Sequence, residues 1–391
     1  MASETAGALE SEFDEDSGWL RQMGPGSHRA LRRTAPGLAT IPTALVLDAI
    51  DLANELGTSR VFYLSREGLL LHRVHQALRN AGYTNLDSTH LQVSRLALFL
   101  PAMRELTRHE LMNILRLYPV ISLSTLFDSM GISVVPAEVR WLADRAGSSW
   151  DQPVAWHDSP DVLDGVLRAS PVQQMWVEAH GRARRSVMQY LDEQQFIGDS
   201  VVVSDLGWRG TLQDMLSRIT GIASHGQYLA LFEYLNPQSI LVAKNATLWN
   251  QNHGDDVSWL SDSVSALERL CTAPVPTTEA YDKDGMPVLH DDMRFTLEGA
   301  DGAQWVLHQA MVDSAAELAA AAESSAFGRQ VIRDAAAAVA RVMVFDPPPI
   351  VALTTATQSH DERFGEGNRL ADGRLRRSWP AGARALSRWR P

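Results

Sequence analysis

Val201-Val202-Val203-Ser204-Asp205-Leu206-Gly207-Trp208-Arg209-Gly210-Thr211-Leu212-Gln213 is the stretch whose reading decides the fold. Three β-branched residues in a row predict a fully buried strand. The strand ends at Asp205 and passes into a turn holding Gly207 and Gly210. Leu212, Met215, Leu216 and Ile219 then recur at helical spacing. The order strand, polar glycine-rich turn, helix points backbone N–H groups and a helix N-terminus above the strand end. That geometry suits a phosphate or sugar phosphate. It equally describes an ordinary βα connection in a parallel sheet.

A second stretch repeats the pattern. Arg60-Val61-Phe62-Tyr63-Leu64 reads as an apolar strand running into a polar loop, Ser65-Arg66-Glu67-Gly68. Leu69, Leu70, Val74 and Leu78 mark the helix that follows. In one parallel sheet the two strand ends would lie side by side, where ligands of such sheets bind.

Composition narrows the class. The chain has 391 residues, with 45% hydrophobic and 21% charged, ordinary for a globular protein of one large or two smaller domains. No continuous apolar run of about 18 residues predicts a membrane span, and no basic-then-apolar leader opens the sequence. The single cysteine, Cys271, excludes an internal disulfide framework and a cysteine-rich zinc site. A net charge of −12 argues against general nucleic-acid binding. The charge is uneven: Glu10, Glu12, Asp14, Glu15 and Asp16 make an acidic start, and Arg369, Arg374, Arg376, Arg377, Arg384, Arg388 and Arg390 a basic end. Only Lys244 and Lys283 are lysines, so arginine counts alone say little about function.

The remaining pattern sets the organisation. Residues 1–25 read as a loose acidic segment. Residues 26–255 read as an α/β core, with a helix over 43–56, strands at 60–64, 90–95, 201–204, 228–234 and 246–249, and a helical insertion at about 104–198. Within the insertion, Val172 to Gln195 reads as one long helix, and Pro136 can open another. Residues 256–350 read as a helical and hairpin part packed on the core, with a helix over 257–270 and a turn at Asp282-Lys283-Asp284-Gly285. Alanine-rich helices follow over 303–345, broken near Gly328. Residues 351–391 read as a loose basic tail.

The order of these features is similar to a type I phosphoribosyltransferase. In that class an apolar strand, an acid pair and a glycine with a nearby threonine bind 5-phosphoribosyl-1-diphosphate. Here Ser204-Asp205 stands at the acid pair, so only the second acid is present, and Gly210-Thr211 follows at close to the right distance. Ser65-Arg66-Glu67-Gly68 resembles the diphosphate loop of the class. A closer resemblance, over about 45–275, is to a domain of bacterial polysaccharide-biosynthesis proteins that is often fused to a haloacid dehalogenase-type phosphatase. That domain carries Ser/Ala-Arg-Asp/Glu-Gly, a later Ser-Arg, and Asp-Leu/Ile-Gly-Trp-x-Gly-Thr/Ser-x-Gln. The matching residues are Ser65 to Gly68, Ser94-Arg95, and Asp205 to Gln213, with Leu267-Glu268 and Ala273-Pro274 resembling its later part. No phosphatase signature occurs.

The resemblance implies transfer of ribofuranose 5-phosphate from 5-phosphoribosyl-1-diphosphate to a hydroxyl of a polysaccharide precursor, with a separate phosphatase acting afterwards. It implies donor contacts from Ser65, Arg66, Gly68, Ser94, Arg95, Gly207, Trp208, Arg209, Gly210, Thr211 and Gln213. Arg66, the backbone N–H groups of 65–68 and Mg²⁺ would neutralise the leaving diphosphate. Arg209 would add a bidentate phosphate contact. Asp205 would face the oxocarbenium-like C1 and serve as the metal ligand, and Glu67 would be the general base, with Asp205 second. Trp208 reads as a platform for a sugar ring or as a packing residue, and Glu268 as a surface charge. The expected location is the cytoplasm. The tail, with Trp379 and Trp389, reads either as a solvated end or as a contact with anionic lipid at the inner membrane face, where a lipid-linked acceptor would be presented. Three other readings stay open: transfer to a small nitrogen nucleophile, a sugar-phosphate hydrolase, and a non-catalytic sugar-phosphate binder, which the missing acid at Ser204 favours.

Overall fold

The computed structural model describes residues 25–115, 120–132, 137–145, 149–155, 160–261, 264–290, 300–348 and 351. The expected acidic start, the basic tail and Pro136 lie outside these residues.

Five parallel strands form the central sheet. They are β1 (Arg60–Leu64), β2 (Asp87–Leu91), β3 (Ser200–Asp205), β4 (Ala223–Leu231) and β5 (Val242–Asn250). Their order is β2-β1-β3-β4-β5. Val61, Phe62 and Tyr63 pair with Val202, Val203 and Ser204, so the two stretches read from the sequence are neighbours. The chain leaves β1 toward β2 on one side and returns at β3 on the other. The strand order therefore reverses between β1 and β3, the switch point where open α/β sheets hold ligands. This is an α/β parallel-sheet core with helical additions.

Alternation along the strands builds two cores, one per face. Val61, Tyr63 and Val202 face α1 (Pro25–Glu55) and α2 (Ser65–Asn80), together with the C-terminal helices α7 (Ala300–Ser324) and α8 (Gln330–Phe345). Phe62, Leu64, Val201 and Val203 face α5 (Thr211–Thr220) and the insertion. The insertion includes α3 (Arg95–Ala102), α4 (Ser170–Glu193) and a two-residue strand pair, Val120–Ile121 with Val154–Ala155. Arg218 ties it down by donating to the Ala102 carbonyl and pairing with Glu110. The hairpin β6 (Thr278–Tyr281) and β7 (Pro287–Leu289) forms as the turn signal predicts, and a break at 325–329 separates α7 from α8.

Several boundaries differ from the sequence reading. α1 begins at Pro25 rather than 43 and continues through Pro36 and Pro42. Both prolines disfavour a helix interior, but Leu31, Ala35, Leu38, Ala39 and Ile41 are buried against the sheet layer, and that packing outweighs the cost. Within residues 29–55 of this helix an 18-residue window has the length and mean hydropathy (1.3) of a membrane span, although the sequence holds no continuous apolar run of that length. That window is 78% buried inside the fold, between the sheet and α7 and α8. Arg333 donates twice to Asp48, and Arg329 pairs with Asp51, locking α8 onto α1. β2 starts at Asp87, three residues before the expected start at 90, and ends at Leu91. β4 begins at Ala223, because Ser224, His225, Gly226 and Gln227 pair with β3 despite their polarity. The expected 257–270 helix is described over Ser258–Ser261 and α6 (Val264–Cys271), residues 262–263 lying outside the described residues.

Candidate active site

The carboxyl ends of β1 and β3 carry the residues singled out by sequence. No loop separates β1 from α2, in contrast to the expected polar loop. The helix starts at Ser65, whose φ of 57° is left-handed. A non-glycine residue holds that conformation only when its surroundings impose it. Ser65 Oγ donates to Glu67 Oε2 at 3.0 Å, and His90 Nε2 lies 2.7 Å from the Ser65 carbonyl oxygen. Gly68 is required here, since a Cβ would stand 2.7 Å from the Tyr63 carbonyl carbon.

The β3 turn is equally constrained. Its backbone extends the pairing with β4: Leu229 N–H donates to Leu206 O, and Phe232 N–H to Trp208 O. Gly207 is joined to Trp208 by a cis peptide bond. Gly210 caps α5 with a φ of 66°, and a Cβ there would meet the Lys244 side chain at 2.7 Å. Lys244 Nζ, buried with Asp214 in an ion pair, donates to the Arg209 carbonyl. Thr211 is the first residue of α5.

A third element closes the site. α6 and the residues after it bring Glu268 and Thr272 to the two strand ends. Trp208 Nε1 donates to Glu268 Oε1 at 2.7 Å. Thr272 Oγ1 stands 2.7 Å from Glu67 Oε1, and Ala273 N–H donates to the Arg66 carbonyl. Glu268 is thus part of the cluster, not the surface charge its helix suggested. An indole N–H that is partly buried needs an acceptor, and that need is the signal by which Glu268 was findable. Nothing in the local sequence marks Thr272 or His90.

Electrostatics converge on Asp205. The residue is buried at the β3 end, and its Oδ1 accepts the Leu206 N–H at 2.8 Å. Burial raises its pKa well above the ordinary carboxylate value, and the nearby charges of Glu67 and Glu268 raise it further. The Leu206 N–H and Arg95 act in the opposite sense. Arg95 is exposed at the start of α3, while Arg66 is half-buried and its side chain has no hydrogen bond or ion pair among the described residues.

Three expected donor-binding residues are committed elsewhere. Gln213 is fully buried: its Nε2 donates to Ser224 O and Ala243 O, and its Oε1 accepts from Tyr228. It ties α5 to β4 and β5. Ser94 caps α3 through the Ala97 N–H and donates to the Thr278 carbonyl, rather than ending a strand. Arg209 lies over the Phe232 ring and donates to the Glu233 carbonyl, so it does not point into the turn. At the position of the absent first acid, Ser204 is fully buried, and its hydroxyl has no hydrogen-bond partner among the described residues.

Among the described residues no group of three or more His, Cys, Asp or Glu is arranged as a metal cage. Mg²⁺ asks for less, since it is commonly held by one or two carboxylates and substrate phosphates. Asp205, lying in the negative field of Glu67 and Glu268, fits that partial requirement. No protein-family model matches the chain, and no curated protein matches it significantly.

Proposed function

We propose that this protein transfers ribofuranose 5-phosphate from 5-phosphoribosyl-1-diphosphate to a glycan hydroxyl. The observation that carries the reading is the meeting of Ser65–Gly68 and Asp205–Thr211 at the sheet's switch point, with Glu67 and Asp205 close enough to interact. In the reaction the C1–O bond to diphosphate breaks, and the electron pair leaves with diphosphate. The acceptor oxygen bonds C1, and its proton passes to a carboxylate. Arg66 and the first N–H groups of α2 suit the leaving diphosphate. The N-terminus of α5 suits the 5-phosphate. The negative field around Asp205 favours positive charge at C1. Mg²⁺, held by Asp205 with donor oxygens, would supply charge neutralisation on the diphosphate. A separate phosphatase would then remove the 5-phosphate, and the reaction's setting would be the cytoplasm.

The second reading is a sugar-phosphate binder without turnover. Buried Ser204 favours it, since that position offers no second carboxylate. Diphosphate release separates the two. With Mg²⁺ and an acceptor panel, the transferase releases diphosphate, and Asp205→Asn abolishes release. Donor binding without release establishes the binder. No donor binding at all overturns both.

A further inference from the structure

We infer that Glu268, rather than Glu67, is the acceptor-side base, and that Trp208 beside it is the platform for a pyranose ring. This rests on the transferase reading. It is carried by how the carboxylate oxygens are occupied. Both oxygens of Glu67 are engaged: Oε2 accepts from Ser65 Oγ, and Oε1 shares the single Thr272 hydroxyl proton with the Glu268 carbonyl. Glu67 is held as part of the β1 turn. Glu268 differs. Its Oε1 is pinned by the Trp208 N–H at 2.7 Å, and its Oε2 has no donor among the described residues. One oxygen fixes the orientation, and the other is available to accept a proton.

Trp208 completes the arrangement. One ring face stacks on Phe232, with centroids 5.4 Å apart and planes at 20°. Its carbonyl is bound by the Phe232 N–H, so the backbone beneath the ring is fixed as well. The residue is half-buried. An aromatic face suits the C–H face of a pyranose, and an adjoining carboxylate oxygen suits a hydroxyl at the ring edge. Glu268 lies near enough to the β3 end for its charge to act on Asp205, and its hydrogen bond to Trp208 keeps the indole beside it. The acceptor hydroxyl would then approach C1 with its proton directed to Glu268 Oε2. The O–H bond breaks as the C1–O bond forms, and diphosphate carries away the electron pair of the donor bond.

The test uses the full chain, 5-phosphoribosyl-1-diphosphate with Mg²⁺, and octyl β-D-gluco-, galacto- and mannopyranosides as probes. Calorimetry first measures donor binding; its absence overturns the transferase reading itself. Saturation-transfer NMR then measures pyranoside binding, and product analysis measures transfer. Glu268→Gln keeps an oxygen for the Trp208 N–H and removes the base. It is expected to lower kcat at least 100-fold with the pyranoside KM within threefold, and formate is expected to restore part of the rate to Glu268→Ala. Trp208→Leu is expected to raise the pyranoside KM at least tenfold. Near-ultraviolet circular dichroism checks that each variant is folded. Donor binding with no saturation transfer from any pyranoside overturns the inference and leaves the donor reading standing. So does a folded Glu268→Gln enzyme with unchanged kcat.

Discussion

Thr272 Oγ1 and Glu67 Oε1 lie 2.7 Å apart across 205 residues of sequence. The same hydroxyl is 2.7 Å from the Glu268 carbonyl, so its single proton serves one acceptor at a time. This contact fastens the segment after α6 to the turn after β1. Thr272→Val keeps the volume and removes the hydroxyl. We expect a loss of about 1 kcal/mol in unfolding free energy, read from urea midpoints. Donor turnover should fall several-fold as Glu67 loosens. An unchanged midpoint together with unchanged turnover would show that the contact is idle.

Gly68 has no room for a side chain. A Cβ there would lie 2.7 Å from the Tyr63 carbonyl carbon and 2.9 Å from its oxygen, both backbone atoms that cannot swing aside. Gly68→Ala should cost about 3 kcal/mol and disturb the Ser65 turn. Gly57 is the control: its φ is 65°, but nothing lies within 4 Å of the added carbon. Gly57→Ala should cost only about 1 kcal/mol, from backbone strain. Thermal melts of the two variants test the contrast. Equal losses would remove the steric argument at Gly68.

Asp205 sits where its charge is unwelcome to the fold. Burial and the neighbouring Glu67 and Glu268 charges disfavour the carboxylate. Asp205→Asn keeps the oxygen that accepts the Leu206 N–H and discards the charge. At pH 7.5 with chelator present, the variant should unfold at a higher urea concentration than the parent. The same substitution should abolish diphosphate release. Stability gained where activity is lost marks a residue retained for chemistry rather than for folding. A variant less stable than the parent would count against this placement of the negative field.

His308 gives the protein an acid-sensitive core. It is fully buried, with Nε2 at 2.8 Å from both the Leu270 carbonyl and Gln304 Nε2. Burial lowers its pKa from 6.5 to about 4. The folded state therefore resists protonation that the unfolded chain accepts. The stabilising contribution is complete above pH 6.5 and is lost as pH falls toward 4, on the order of 3 kcal/mol in all. His72, lowered to about 3 by burial and then by His90 and His75, adds loss in the same direction. Urea titrations at pH 7.5, 6 and 5 should show His308→Gln losing less stability than the parent across that range. Parallel pH dependences would refute the role of His308.

The sequence by itself determined the two strand-to-helix units. Val201 to Val203 and Val61 to Leu64 had to be buried strands, because their apolar runs cannot be satisfied at a surface. Gly207, Gly210 and Asp205 marked the second turn for the same local reason. The hairpin at 278–289 and the break between α7 and α8 were legible from glycine and turn residues. Where partners were distant, local pattern misled. α1 runs through two prolines because burial against the sheet and the distant α7 and α8 outweighs their cost, and that packing is not written in the local pattern. Gln213 and Ser94, polar residues inside a motif, were drawn into core and capping hydrogen bonds made with β4, β5 and β6. Glu268 passed for a surface charge because its partner, the Trp208 N–H, lies 60 residues earlier. Only the tertiary structure decided which carboxylate oxygens are held and which is open, because that depends on hydrogen bonds between segments that sequence spacing does not connect.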